Sequence, residues 1–195
     1  MKHNFISNRI NNIKPSPTIA VTSMARELKA AGKDIIGLGA GEPDFDTPIH
    51  IKNAAIKAIN SGKTKYTAVD GIPDLKEAIC KKFKRDNNLN YKPSQIVVST
   101  GAKQSIANVC MALLNKGDEV LLPAPYWVSY SAIVSLSEAK FKIIPTSMEN
   151  GFKITPAQLK SELTFKTRLI MFNSPNNPSG IVYSEKELNE FAKIL

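Results

Sequence analysis

The sequence predicts an α/β fold, a mostly parallel sheet with helices on both faces. Two observations carry that expectation. From Gln95 onward, short apolar runs of strand length alternate with segments patterned as helices. Parallel strands need helical crossovers, so this rhythm reads as successive βαβ units. The second observation concerns the strand ends, where glycine- and proline-rich turns stand in the place open parallel sheets use for ligands.

Taken in order, Thr18–Ala31 (TIAVTSMARELKAA) has helical spacing and is closed by Gly32, after which Asp34–Leu38 reads as a short buried strand. Thr47 and Pro48 read as an N-cap and a first-turn proline opening a helix to about Ser61. Pro73 opens another, to about Asn88, with Leu75, Ile79 and Phe83 on one face. The regular part follows. Strands are expected at Gln95–Thr100, Asp118–Leu122, Lys140–Ile144 and Arg168–Asn173. Helices are expected at Ala102–Leu114, Tyr126–Leu136, Pro156–Leu163 and Ser184–Leu195, the last opened by the capping-box pair Ser184 and Glu187. Residues 1–45 are less regular and read as a separate element, with 46–195 as the main α/β domain.

Composition narrows the class. The chain has 195 residues, 43% hydrophobic and 22% charged, ordinary values for a soluble globular protein. No apolar run reaches the roughly 18 residues of a membrane span, and the N-terminus lacks the apolar core of a signal peptide. Cys80 and Cys110 lie in helix-like segments and read as small buried side chains, so a reducing cytoplasmic location is expected. The net charge of +9 admits nucleic acid or small anions as ligands. The densest cluster, Lys81, Lys82, Lys84 and Arg85, falls on the outer face of the Pro73 helix and reads as a solvated surface. No aromatic stacking platform or zinc-ligand spacing accompanies it, so no nucleic acid, metal or membrane partner is expected.

Three strand-end turns could carry chemistry. In Ser99-Thr100-Gly101-Ala102-Lys103-Gln104, the backbone N–H groups of Ala102 and Lys103 open a helix and suit an anion such as phosphate. Pro123–Tyr130 carries the only tryptophan, Trp127, whose indole could stack on a planar ring. In FNSPNNPSG (172–180), Pro175 and Pro178 stiffen the loop, with cis bonds open before either, and so fix the amide of Asn177. Each turn alone also has a plain structural reading: a glycine easing a bend, a core aromatic, ordinary turn chemistry. Gly37-Leu38-Gly39-Ala40-Gly41 imitates a dinucleotide fingerprint, but its third glycine comes one residue early and no helix follows.

Together the turns resemble the fold type I pyridoxal-phosphate-dependent aminotransferases, specifically the aspartate/prephenate aminotransferase subgroup. The matching strings are KPSPTIAV (14–21), GAGEPDFDTP (39–48), GKTKYTAVDGIP (62–73), VSTGAKQ (98–104), GDEVLLPAPYWVSY (117–130) and NSPNNPSG (173–180), in family order across nearly the whole chain.

That resemblance implies the large cofactor-binding domain, incomplete, preceded over residues 1–45 by an arm and a segment of the small domain. It implies that the amides of Ala102 and Lys103 hold the phosphate of pyridoxal 5'-phosphate, that Trp127 stacks on its ring, and that Asn177 hydrogen-bonds the ring's phenolic oxygen. Tyr66 is implied to reach the phosphate held by a second subunit, hence a homodimer. Gly41, Trp127 and Asn177 are implied at the substrate, whose second carboxylate would meet Lys14, Ser16, Thr18 and the Lys103 side chain.

The implied activity moves an amino group between aspartate and a 2-oxo acid, with prephenate acceptance left open. The lysine that would form the Schiff base with the cofactor is expected beyond Leu195, so no catalytic residue is assigned and these 195 residues alone are expected to be inactive. The sequence ends inside a helix and is expected to be part of a longer protein. Two alternatives stay open: another fold type I enzyme, such as a carbon–sulfur lyase or a different transaminase, and a non-catalytic remnant.

Overall fold

The computed structural model describes residues 5–39 and 41–195. Residues 1–4 and Ala40, which fall within the expected N-terminal element, lie outside the described residues. The chain packs as two compact units, one formed by the described part of Met1–Ser16 with Ala102–Leu195, the other by Pro17–Gly101.

The Pro17–Gly101 unit is helical. It holds α2 (Pro17–Ala30), α3 (Ile49–Asn60) and α4 (Pro73–Asn87). Pro73 takes the first position of α4 as expected, where its missing N–H costs nothing. At the far end Asn88 adopts the left-handed conformation (φ 53°), and the Leu89 N–H closes back on the Phe83 carbonyl at 3.1 Å. The basic cluster on α4 is solvated and paired locally: Lys82 and Arg85 meet Asp86, and Lys84 reaches Asn88. At the start of α3, Pro48 itself takes the cap position (φ −51°, ψ 138°), so Thr47, the expected cap, falls one residue outside it and Pro48 is not the first helical residue.

Two expected strands do not form. Over 34–38 the chain is irregular, with Ile36 84% and Leu38 92% exposed. Over 95–100 it begins as a 3-10 turn (Pro93–Gln95) and continues without a ladder. Ile96 is buried and extended there, yet the strand-like link is a single bond from the Val98 N–H to the Asp70 carbonyl, 3.0 Å. Strand propensity becomes a strand only where a neighbour continues the ladder, and among the described residues no ladder forms at these two segments.

The other unit holds the sheet: β1 (Glu119–Pro123), β2 (Lys140–Ile144) and β3 (Thr167–Ile170), all parallel, in the order β2-β1-β3. Central β1 is buried on both faces, with Val120, Leu121 and Leu122 each at 0% exposure, as continuous apolar strands of parallel sheets require. Val120 and Leu122 face Cys110 and Leu114 of the α5 (Ala102–Leu113) region and Tyr130, Ile133 and Val134 of α6 (Ser129–Leu136). Leu121 faces the opposite way, onto Ile144, Leu159 of α7 (Pro156–Glu162), Tyr183 and Phe191 of α8 (Glu185–Ala192). Helices therefore cover both faces, and the α/β expectation holds.

Capping is explicit at two helices. Ser184 and Glu187 form the expected box, and Thr155 with Gln158 forms a second one at α7. A short α1 (Asn8–Asn11) was not expected, and α6 starts at Ser129 rather than Tyr126 because Ala124–Val128 are spent on a turn with a cis Ala124–Pro125 bond. β3 ends earlier than expected. Its neighbour Met171 still donates to Leu121 O at 3.0 Å before the chain turns away.

Candidate active site

The strand order creates the location. From β1 the chain moves to one side through α6 to β2, then returns through α7 to β3 on the other side. This reversal is a topological switch point at the carboxyl ends of β1 and β3, the place where open α/β sheets bind ligands.

The turn after β1 supplies Trp127. Its indole is half-buried and packs edge-on against Tyr130, ring centroids 5.6 Å apart at 88°. Burial raises the Tyr130 phenol above its ordinary value, so it stays neutral across the physiological range. The turn is anchored on its other side by Thr146, whose hydroxyl donates to the Ala124 carbonyl, and by the Ala124 N–H donating to Ile144 O at 2.9 Å.

The N-terminus of α5 reaches the same turn. Lys103 places its ammonium 5.0 Å from the centroid of the Trp127 ring, a cation–π contact. The first N–H groups of a helix have no partner within it and carry the positive end of its dipole. Ala102 and Lys103 occupy those positions, immediately after Gly101 at φ +83°.

The loop after β3 is the third component. Cis bonds precede both Pro175 and Pro178. Asn176 fastens the loop: its side-chain amide donates to the Pro125 carbonyl at 3.0 Å and to Ser179 Oγ at 2.7 Å, while its backbone bonds Ile181 and Gly180. Asn173 donates to the Pro175 carbonyl at 2.8 Å and accepts from the Asn177 N–H at 3.4 Å. Asn177 itself is exposed. The Asn176–Pro125 bond therefore holds the loop carrying Asn177 against the turn carrying Trp127.

Of the residues singled out in the sequence, the structure brings Ala102, Lys103 and Trp127 together and attaches the Asn177 loop to them. Lys14, exposed, and Ser16, half-buried, belong to the same packing unit. Thr18, Gly41 and Tyr66 belong to the other, and all three are exposed. A Cβ at Gly41 would meet nothing within 4 Å, so no described residue requires glycine there. Sequence reasoning passed over Asn176 and Thr146, which hold the turns rather than face a ligand. The doubled asparagine was the available signal, since two adjacent amides in one rigid loop have room for two tasks. Among the described residues no group of three or more His, Cys, Asp or Glu could hold a metal ion, and no helix is long and apolar enough to cross a membrane.

Fold and turns define an α/β domain with rigid turns at the carboxyl ends of its parallel strands. The chain belongs to the class I and II aminotransferases, whose family pattern it matches over residues 33–195. It is 56% identical over 191 residues to the aspartate/prephenate aminotransferase of Cereibacter sphaeroides, covering 98% of this chain and 48% of that protein. To the Nitrosomonas europaea protein of the same name it is 57% identical over 190 residues, with 97% and 48% covered. Among solved structures it resembles the aspartate aminotransferase of Thermus thermophilus with maleate, at 42% identity and a TM-score of 0.95, covering 98% of this chain and 50% of that one. The chain thus spans about half the length of the relatives it matches.

Proposed function

We propose that the whole protein is a pyridoxal-phosphate-dependent aminotransferase that moves an amino group between aspartate and a 2-oxo acid, with prephenate among the acceptors. The observation that carries this is the Asn176–Pro125 bond, which fastens the loop carrying the exposed Asn177 to the turn carrying Trp127. The residues present fit such a cofactor chemically: helix-terminal amides for a phosphate, an indole for a planar ring, a carboxamide for a phenolic oxygen.

In this reading the amides of Ala102 and Lys103 hold the phosphate, because they offer donors and a favourable dipole without a mobile side chain. Trp127 packs on the ring face, held in place by Tyr130 behind it. Asn177 donates to the phenolic oxygen and favours its ionised form. When bound, the cofactor supplies the electron sink that transamination needs. Lys103, poised over Trp127, brings a positive charge within reach of a substrate's second carboxylate, with Lys14, Ser16 and Thr18 as its partners in that task. Gly41 contributes a backbone N–H without a Cβ in the way, and Tyr66 reaches the phosphate held by a second copy, so the working form is a homodimer.

The functional division in this reading is an arm and small-domain segment over 1–45 and a cofactor domain over 46–195. A reducing cytoplasmic compartment accords with Cys80 and Cys110, both free thiols.

The test is the amino-donor half-reaction of the full-length protein with aspartate, alanine, phenylalanine and cystathionine, followed by the cofactor's absorbance. Aspartate is expected to react fastest. A faster neutral donor, or cleavage of cystathionine, contradicts the assignment.

A further inference from the structure

The single buried residue of α4 is a lysine. Lys76 is 9% exposed, beneath a helix whose other described residues are exposed or half-buried, and its ammonium is held by the Asp70 carboxylate. A buried ammonium needs a partner, and the half-exposed Asp70 carboxylate supplies it.

The geometry around Asp70 shows what the pair restrains. Asp70 sits in a turn closed by the Gly71 N–H on the Ala68 carbonyl at 3.1 Å. Its own carbonyl accepts from the Val98 N–H at 3.0 Å. Gly71 has φ +110°, and a Cβ there would lie 2.4 Å from a Val98 methyl, so the backbone passes tightly against Val98. One end of the loop is therefore gripped at three points: by Lys76, by the Val98 amide and by the Val98 side chain. Four residues before Asp70 stands Tyr66, which is fully exposed and takes no direction from packing. Its placement depends on the backbone that leads to it.

We infer that Lys76 is a positioning residue: through Asp70 it fixes the 66–71 loop so that Tyr66 presents its hydroxyl in one place, toward an anionic group on a second copy of the chain. The inference rests on the role given to Tyr66 under the proposed function.

The experiment measures the equilibrium affinity of the full-length protein for pyridoxal 5'-phosphate in Tyr66→Phe, Lys76→Met, Asp70→Asn and the double variant Y66F/K76M. Tyr66→Phe is expected to weaken binding by about tenfold or more, as loss of a hydrogen bond to a charged group does. Lys76→Met and Asp70→Asn are each expected to cost about threefold to tenfold, because a loosened loop forms that bond for less of the time. In the Tyr66→Phe background, Lys76→Met should cost nothing further, since its effect passes through the hydroxyl already removed. An equal loss in both backgrounds, no loss on Lys76→Met, or failure of both Lys76→Met and Asp70→Asn to fold overturns the inference and leaves the pair a structural one. An unchanged affinity in Tyr66→Phe alone instead overturns the role of Tyr66, and the inference with it.

Discussion

Asn176 and Asn177 are adjacent, chemically identical and opposite in task. Asn176 turns its amide inward to the Pro125 carbonyl and Ser179, whereas Asn177 is left at the exposed tip of the loop. Substituting each by alanine should separate the two. Asn176→Ala strands the partly buried Pro125 carbonyl and should lower stability by about 1–3 kcal/mol, read from the urea midpoint of the full-length protein. Asn177→Ala should leave that midpoint nearly unchanged and weaken cofactor binding by about tenfold or more. Equal loss of stability in both would mean the pair is simply turn structure. The cysteines divide similarly. Cys110 is fully buried and desolvation raises its thiol pKa, so it should resist alkylation in the native protein while the less buried Cys80 reacts first.

At the scale of elements, α8 is fastened by charge as well as by packing. Hydrogen bonds from the Ser184 backbone and hydroxyl, then the Lys153 ammonium, pull the Glu187 carboxyl down to about 2. A carboxylate depressed on folding stabilises the native state above its unfolded value and loses that contribution as pH falls toward the folded value. The start of α8 should therefore loosen between about pH 4.5 and about pH 2, seen as faster amide exchange over 184–188. Glu187→Gln should abolish this pH dependence while retaining part of the cap; an unaltered profile would place the acid sensitivity elsewhere. This box was legible in the sequence because capping is local: Ser184 and Glu187 announce it three residues apart. The strands expected at 34–38 and 95–100 had the right residues, but a strand needs a second segment to bond with, and no local pattern reports whether one is present. The turns after β1 and β3 were legible as rigid corners. Their mutual fastening across fifty-one positions, from Asn176 to Pro125, was not, since nothing in either string names the other.

For the whole molecule, the two units differ in how well their apolar residues are covered. The sheet unit encloses β1 completely, whereas α2 and α3 of the helical unit bury no residue. Phe45, Val69, Ile19, Ile49 and Ile59 stand exposed in that unit. Exposed apolar surface on this scale binds hydrophobic dyes and self-associates. Residues 1–195 expressed alone should bind such a dye strongly and melt over a broad range; a sharp two-state melt of a soluble monomer would contradict that expectation. The central claim concerns the sheet unit, where the α5 terminus, Trp127 and the fastened Asn177 loop meet. Equilibrium dialysis of the full-length protein with pyridoxal 5'-phosphate, comparing wild type with Trp127→Ala, tests it most directly. The account predicts one molecule bound per subunit and an affinity about threefold to tenfold weaker in the variant, the worth of an aromatic stacking contact. No binding by the wild type, or an affinity indifferent to Trp127, would contradict it.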